Sequence, residues 1–155
     1  THTKWVQVSA GEVISFRTFM SGELFALMSE YSVIKHSVNS DGWNNQEFNS
    51  AVSESISNPQ KLFSDFFKLR ADDLLNKVEK SVLRPKLSGY IIGTELAGAK
   101  PYWLGQNIVI LAKDDLSKLY KAALKGQGVF AQEVDATKCT LDGLTKAFSL
   151  IDGRY

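Results

Sequence analysis

Residues 108–134, IVILAKDDLSKLYKAALKGQGVFAQEV, decide the fold. Ile108-Val109-Ile110-Leu111 is a continuous apolar run, the pattern of a short strand covered on both faces. Leu116, Leu119, Tyr120, Ala123 and Leu124 then recur at helical spacing. Gly126 and Gly128 stop that helix, and Val129 to Val134 makes a second strand. Leu141, Leu144, Phe148 and Ile151 mark a last amphipathic helix. Strands and helices alternating at these lengths predict an α/β fold with parallel pairing.

Upstream, Trp5, Val6 and Val8 precede the turn Ser9-Ala10-Gly11-Glu12, and Val13, Ile14, Phe16 and Phe19 follow it. Two β-rich runs about a tight Gly-containing turn predict a hairpin. Ser21 is the expected N-cap of a helix carrying Leu24, Leu27, Met28 and Tyr31, with Glu23 in its first turn. Residues 37–44 are polar and turn-rich and predict a loop. A helix is expected from Gln46 to Ile56. A second starts at Pro59 and carries Leu62, Phe63, Phe66 and Phe67, and a weaker helical pattern runs from Asp72 to Lys80. Pro85 is expected to open a longer helix reaching about Lys100. In it Gly89, Gly93 and Ala97 recur every fourth residue and offer a flat face to another backbone. Glu95 makes it a water-soluble core helix rather than a membrane pair of the small-residue type.

The chain has 155 residues, 44% hydrophobic and 23% charged, with a formal net charge of +1. That length supports one domain with a core, and the charge supplies no field to draw nucleic acid or an anionic membrane. Cys139 is the single cysteine, so no internal disulfide forms and a reducing, cytoplasmic compartment is expected. No apolar stretch is long enough to span a bilayer, and nothing reads as a signal peptide. The chain lacks an initiator methionine, so it reads as a fragment or an excised domain.

Four segments carry a more specific signal. Thr1-His2-Thr3-Lys4-Trp5-Val6 resembles a "GTHxKW" segment, and Phe16 to Leu24 resembles "FRTxMTGEL". Leu69-Arg70-Ala71 resembles "xRA", and Leu87 to Glu95 resembles "LSGLLIGAE". They occur in the same order as in the 2-dehydro-3-deoxygalactonokinase family of actin-like sugar kinases, and they span most of the chain. The resemblance implies a ribonuclease-H-like, actin-like domain forming the C-terminal half of the enzyme, with a helical insertion at about residues 40–82. It also implies phosphorylation of the terminal hydroxyl of 2-dehydro-3-deoxygalactonate by ATP with Mg2+. The N-terminal half of the same protein would be the partner, and a homodimer is allowed.

Phosphoryl transfer needs a cradle of donors around the transferred group. The resemblance places Thr1, His2, Thr3 and Lys4 at a phosphate-binding turn, although Thr1 reads equally as a polar residue at a strand edge. Ser21, Gly22 and Glu23 are candidates for the cleft or substrate, beside their simpler reading as a helix start. Arg70 is a further candidate. No metal site is expected, because His2 and His36 stand alone. No convincing general base is present: Asp41, Asp65 and Asp135 lie outside the matching segments. The family's small-residue turn for adenosine corresponds to Ala112-Lys113-Asp114-Asp115. There the two carboxylates suit a helix start better than a nucleotide. This departure supports a rival reading, a noncatalytic actin-like domain that binds a partner. With its N-terminal half missing, the chain is expected to be inactive alone. A strand supplied from outside it is expected between the hairpin and Ile108–Leu111.

Overall fold

The computed structural model describes residues 2–153 apart from residues 40 and 113, and only the backbone at residues 80 and 114. The chain divides into two compact units, residues 1–106 and 107–155. Both mix helices with a small sheet, and helix predominates.

The first unit opens with strands β1 (Thr3–Ser9) and β2 (Glu12–Phe19), paired antiparallel. Ala10 and Gly11 both adopt positive φ, 51° and 81°, the backbone of a type I′ hairpin turn. The register shifts between Gln7 and Val8, which pair with Ser15 and Val13, so Ile14 is the extra residue of a bulge. Helix α1 (Ser21–Glu30) follows, then a short α2 (Lys35–Val38). Ser37 and Val38 are buried in α2, so the expected loop is shorter than the polar run suggested. Helix α3 (Asn45–Ser57) is capped by Asn44, whose side chain accepts from the N–H groups of Gln46 and Glu47.

A 3-10 turn (Pro59–Lys61) leads into α4 (Leu62–Leu75). Phe66 and Leu69 face the core, whereas Phe63 is 82% exposed and Phe67 also lies outside. The pattern from Asp72 to Lys80 is not one helix. Lys77 takes a positive φ of 49°, which ends α4 and separates it from α5 (Lys80–Gly98). Pro85 therefore does not open α5 but sits inside it. Its ring removes one helical hydrogen bond. Extending the helix ahead of it buries Leu83 completely, and a leucine so buried contributes about 2 kcal/mol.

Helix α5 is the axis of this unit. Leu83, Leu87, Tyr90 and Ile91 form its core with Ile34, Val38, Ala51, Phe66 and Leu69 from the helices around it. Gly89 and Gly93 face α3. A Cβ on Gly89 would stand 2.6 Å from the Phe48 carbonyl oxygen, and one on Gly93 would stand 2.5 Å from that of Val52. The small-residue face is thus a helix contact, and Ala51 and Ser55 are its small counterparts on α3. Lys86 and Glu47 pair at 3.1 Å across the same two helices. Helix α6 (Lys100–Trp103) closes the unit, with the buried Trp103 indole donating to the Leu96 carbonyl at 2.8 Å.

In the second unit, β3 (Val109–Ile110) and β4 (Gln132–Glu133) pair in parallel, as expected. The strands are shorter than the apolar runs and are not covered on both faces, since Val109 is 49% exposed. Helix α7 (Asp114–Gly126) buries Tyr120, Ala123 and Leu124, and Gly128 at φ 78° follows its end. In α8 (Ala136–Ile151), Leu141, Leu144, Phe148 and Ile151 share a face that is exposed in this chain.

The helix contact sets a test. Replacing Gly93 by Ala in the full-length protein drives a methyl into backbone and should destabilise it by about 2 kcal/mol or more. Gly126→Ala, where no atom lies within 4 Å, should be close to neutral. Urea unfolding of the two variants checks this, and equal midpoints would refute the close approach.

Candidate functional site

The alternation of β1 puts Thr3 and Trp5 on the more covered face and Lys4 outside. The Trp5 indole N–H donates to Glu95 Oε1 at 2.8 Å. Glu95, on the last turn of α5, is only 2% exposed. Its second oxygen accepts from the Ser21 hydroxyl, at the start of α1. Ser21 is therefore not the N-cap. Met20 occupies that position, its carbonyl accepts from the Leu24 N–H at 2.8 Å, and among the described residues no side chain caps α1. The Ser21 hydroxyl donates to Glu95 instead, because a buried carboxylate is costly without donors.

Beside this cluster, His2 Nε2 lies 2.9 Å from Glu23 Oε2 on the surface. The start of β1 and the first turn of α1, singled out separately in the sequence, are thus joined twice: at the surface by His2 and Glu23, and inside by Trp5, Glu95 and Ser21. Gly22 is the second residue of α1. The hairpin is also fastened further along. Arg17 donates to the Gly98 carbonyl at 2.8 Å and lies 5.9 Å from the Tyr102 ring centre, whose hydroxyl accepts from Ser15 at 3.2 Å.

Thr1 lies outside the described residues. Arg70 belongs to another cluster: it stands 4.0 Å from Asp73, which accepts from the Ser37 hydroxyl at 2.7 Å. Asp41 is exposed, and Asp135 is spent as the cap of α8, accepting from the Lys138 N–H. Asp65 is buried, with one carboxylate oxygen that has no hydrogen-bond partner. Burial, then the nearby Glu54 carboxylate, pushes the Asp65 carboxyl above its ordinary value. Burial, with Glu54 and then Asp65, likewise raises the Tyr90 hydroxyl. Among the described residues, no group of three or more His, Cys, Asp or Glu side chains could hold a metal ion.

In the second unit, Lys113 lies outside the described residues, as does the Asp114 side chain. Helix α7 begins at Asp114, the place the sequence suggested for it. Ala112 is half-buried, and the exposed Asp115 pairs with Lys118 at 3.3 Å. Glu133 of β4 pairs with Lys121 of α7 at 3.1 Å.

The residue that sequence reasoning missed is Glu95. Its signal was present: it is the single carboxylate in the otherwise neutral stretch from Leu87 to Gly98. No helix among the described residues is long and apolar enough to cross a membrane.

The model of the 2-keto-3-deoxy-galactonokinase family matches residues 1–147. A protein of Rhizobium meliloti, named as a probable 2-dehydro-3-deoxygalactonokinase, is 33% identical over 151 residues, which are 95% of this chain and 49% of that protein. The Escherichia coli 2-dehydro-3-deoxygalactonokinase is 29% identical over 129 residues, covering 83% of this chain and 44% of the relative. A crystal structure from Sinorhizobium meliloti, of a protein assigned as a 2-dehydro-3-deoxygalactonokinase, superposes with a TM-score of 0.87. It shows 35% identity and covers 97% of this chain and 50% of its own. The chain spans about half the length of the curated relatives it matches.

Asp65 gives this region a pH signature. Its carboxyl is raised in the folded state above the 3.8 of an ordinary aspartate. The native protein therefore holds a proton that the unfolded chain has lost, and stability falls as pH rises through that window. Asp65→Asn in the full-length protein should raise Tm at neutral pH, and the gain should shrink as pH approaches the ordinary value. A gain independent of pH would show that the Asp65 charge is not the cause.

Proposed function

This chain belongs to the 2-keto-3-deoxy-galactonokinase family, and from that premise we propose that it is the C-terminal half of a sugar-acid kinase with an actin-like, ribonuclease-H-like fold. The proposed reaction is transfer of the γ-phosphoryl group of Mg-ATP to the terminal hydroxyl of 2-dehydro-3-deoxygalactonate in the cytoplasm. The hydroxyl oxygen forms the new bond to phosphorus, the bond to the β-phosphate oxygen breaks, and ADP leaves. The family match over residues 1–147 carries this reading.

The geometry of the first unit supports it. His2 leads into β1, and β1 is tied through Glu95 to the N-terminal turn of α1, whose first N–H groups have no side-chain cap among the described residues. Such a place suits developing negative charge on a transferring phosphoryl group. Thr1 to Lys4 would supply hydroxyl and backbone donors to the β- and γ-phosphates, and the magnesium would enter with the nucleotide. Ala112 to Asp115 would lie in the adenosine region. The acceptor's proton would go to a base in the N-terminal half, since Asp135 caps a helix and Asp65 is buried.

The N-terminal half is the expected partner. Val6, Val13 and Phe16 on the hairpin, and Leu141, Leu144 and Phe148 on α8, are exposed apolar side chains. Apolar patches of this kind mark surfaces that another body covers. Two bodies must also close on ATP and sugar acid to align them and exclude water. The chain alone should therefore transfer no phosphate.

Two measurements test the reading. A coupled ADP-release assay of the full-length protein on a panel of 2-dehydro-3-deoxy sugar acids should show turnover, highest with the galactonate derivative. No turnover with any of them would favour a noncatalytic, partner-binding domain. Thr1→Val in the intact enzyme should lower kcat more than it lowers stability, because the lost donor matters most in the transition state. Unchanged turnover would make Thr1 a spectator.

A further inference from the structure

We propose that Glu95 is a positioning residue for phosphoryl transfer, holding the start of β1 at a fixed distance and angle from the first turn of α1. The inference rests on the sugar-kinase reading above.

Glu95 is buried at 2% exposure, and its two oxygens point to different elements. Oε1 accepts from the Trp5 indole N–H on β1, and Oε2 accepts from the Ser21 hydroxyl on α1. The carboxylate is thus a planar spacer between the two segments that carry the candidate phosphate and cleft residues. Simple packing does not call for a charge here. A hydrophobic side chain of similar volume is often neutral or stabilising where it replaces buried ionic groups. A carboxylate instead fixes direction, because each oxygen accepts along its lone pairs and charge-assisted bonds are short and stiff.

The rest of the hairpin does not depend on this carboxylate. Arg17 holds the Gly98 carbonyl, the Phe19 ring lies against Gly98, and Ser15 reaches Tyr102. Loss of the Glu95 charge should therefore leave the hairpin docked while freeing the start of β1 to shift against α1. A shift of about 1 Å between groups that align a reaction lowers rate by as much as a hundredfold. Glu95 acts through Trp5 and Ser21, so the expected effect is on kcat.

The test uses the full-length protein with Mg-ATP and 2-dehydro-3-deoxygalactonate. Glu95→Gln keeps the volume but turns one accepting oxygen into a donating amide NH2, so Trp5 and Ser21 can no longer both donate to residue 95. Ser21→Ala deletes one donor, and Ser21→Thr keeps the hydroxyl. Native content is measured by thermal unfolding and circular dichroism, and kcat is normalised to it. Glu95→Gln and Ser21→Ala should each lower normalised kcat about tenfold, with the KM for the sugar acid little changed. Their combination should be no worse than the more severe single change, and Ser21→Thr should recover most of the rate. Wild-type normalised kcat in both Glu95→Gln and Ser21→Ala would overturn the inference alone. So would a loss in proportion to unfolded protein, which is all a structural role predicts. Absence of turnover in the wild-type protein would overturn the kinase reading and this inference with it.

Discussion

The close approach of α3 and α5 is the constraint on which the first unit depends. Gly89 and Gly93 remove two side chains from the face of α5, and the backbone of α3 fills the space, with Phe48 and Val52 carbonyls where Cβ atoms would stand. Two helices so close exclude water over their whole contact, and small residues on both sides make that possible. Ile34, Val38, Phe66 and Leu69 then pack round the remaining faces of α5. The direction of α5 is thereby set before the hairpin is considered, and so is the position of its last turn. Glu95 stands on that turn.

From that turn outward, polar geometry takes over from apolar packing. Apolar contacts are nondirectional and tolerate small rotations, and they hold α5 as a body. The hairpin and the start of α1 meet the end of α5 through directed bonds instead: Trp5 and Ser21 to Glu95, and Arg17 to the Gly98 carbonyl. A rigid helix thus carries a stiff set of acceptors, and β1 is referred to it. A side chain on β1 placed this way is held by the core, although it lies at the edge of the unit. The second unit is built differently. Its parallel pair is two residues long on each strand, and α8 leaves an apolar face outside, so much of its apolar surface is left uncovered by this chain.

Much of this architecture was legible in the residues. Ala10-Gly11 between β-rich runs made the hairpin, Asn44 ahead of an amphipathic pattern made α3, and spacing at four made the glycine face of α5. The helix from Asp114 and the parallel pair around it were also readable. Family membership was legible too, through four short segments in order. These features are local: a turn type, a cap or a periodicity is decided by residues within a few positions of one another.

Other features were decided only in three dimensions. Phe63, Phe66 and Phe67 look alike in the sequence, but only Phe66 meets the core, because α2 and α5 pack against one side of α4. Pro85 marks a helix start by local rule, yet burial of Leu83 carried the helix past it. Ser21 was the expected cap, but its hydroxyl donates instead to Glu95, 74 residues away. Glu95 itself marked a soluble core helix in the sequence, and only the fold brought Trp5 and Ser21 to it. The sequence by itself determined the elements, their order and the family. The tertiary structure decided which side chains meet, because a contact between distant residues depends on the packing of everything between them and on no pattern that either residue carries alone.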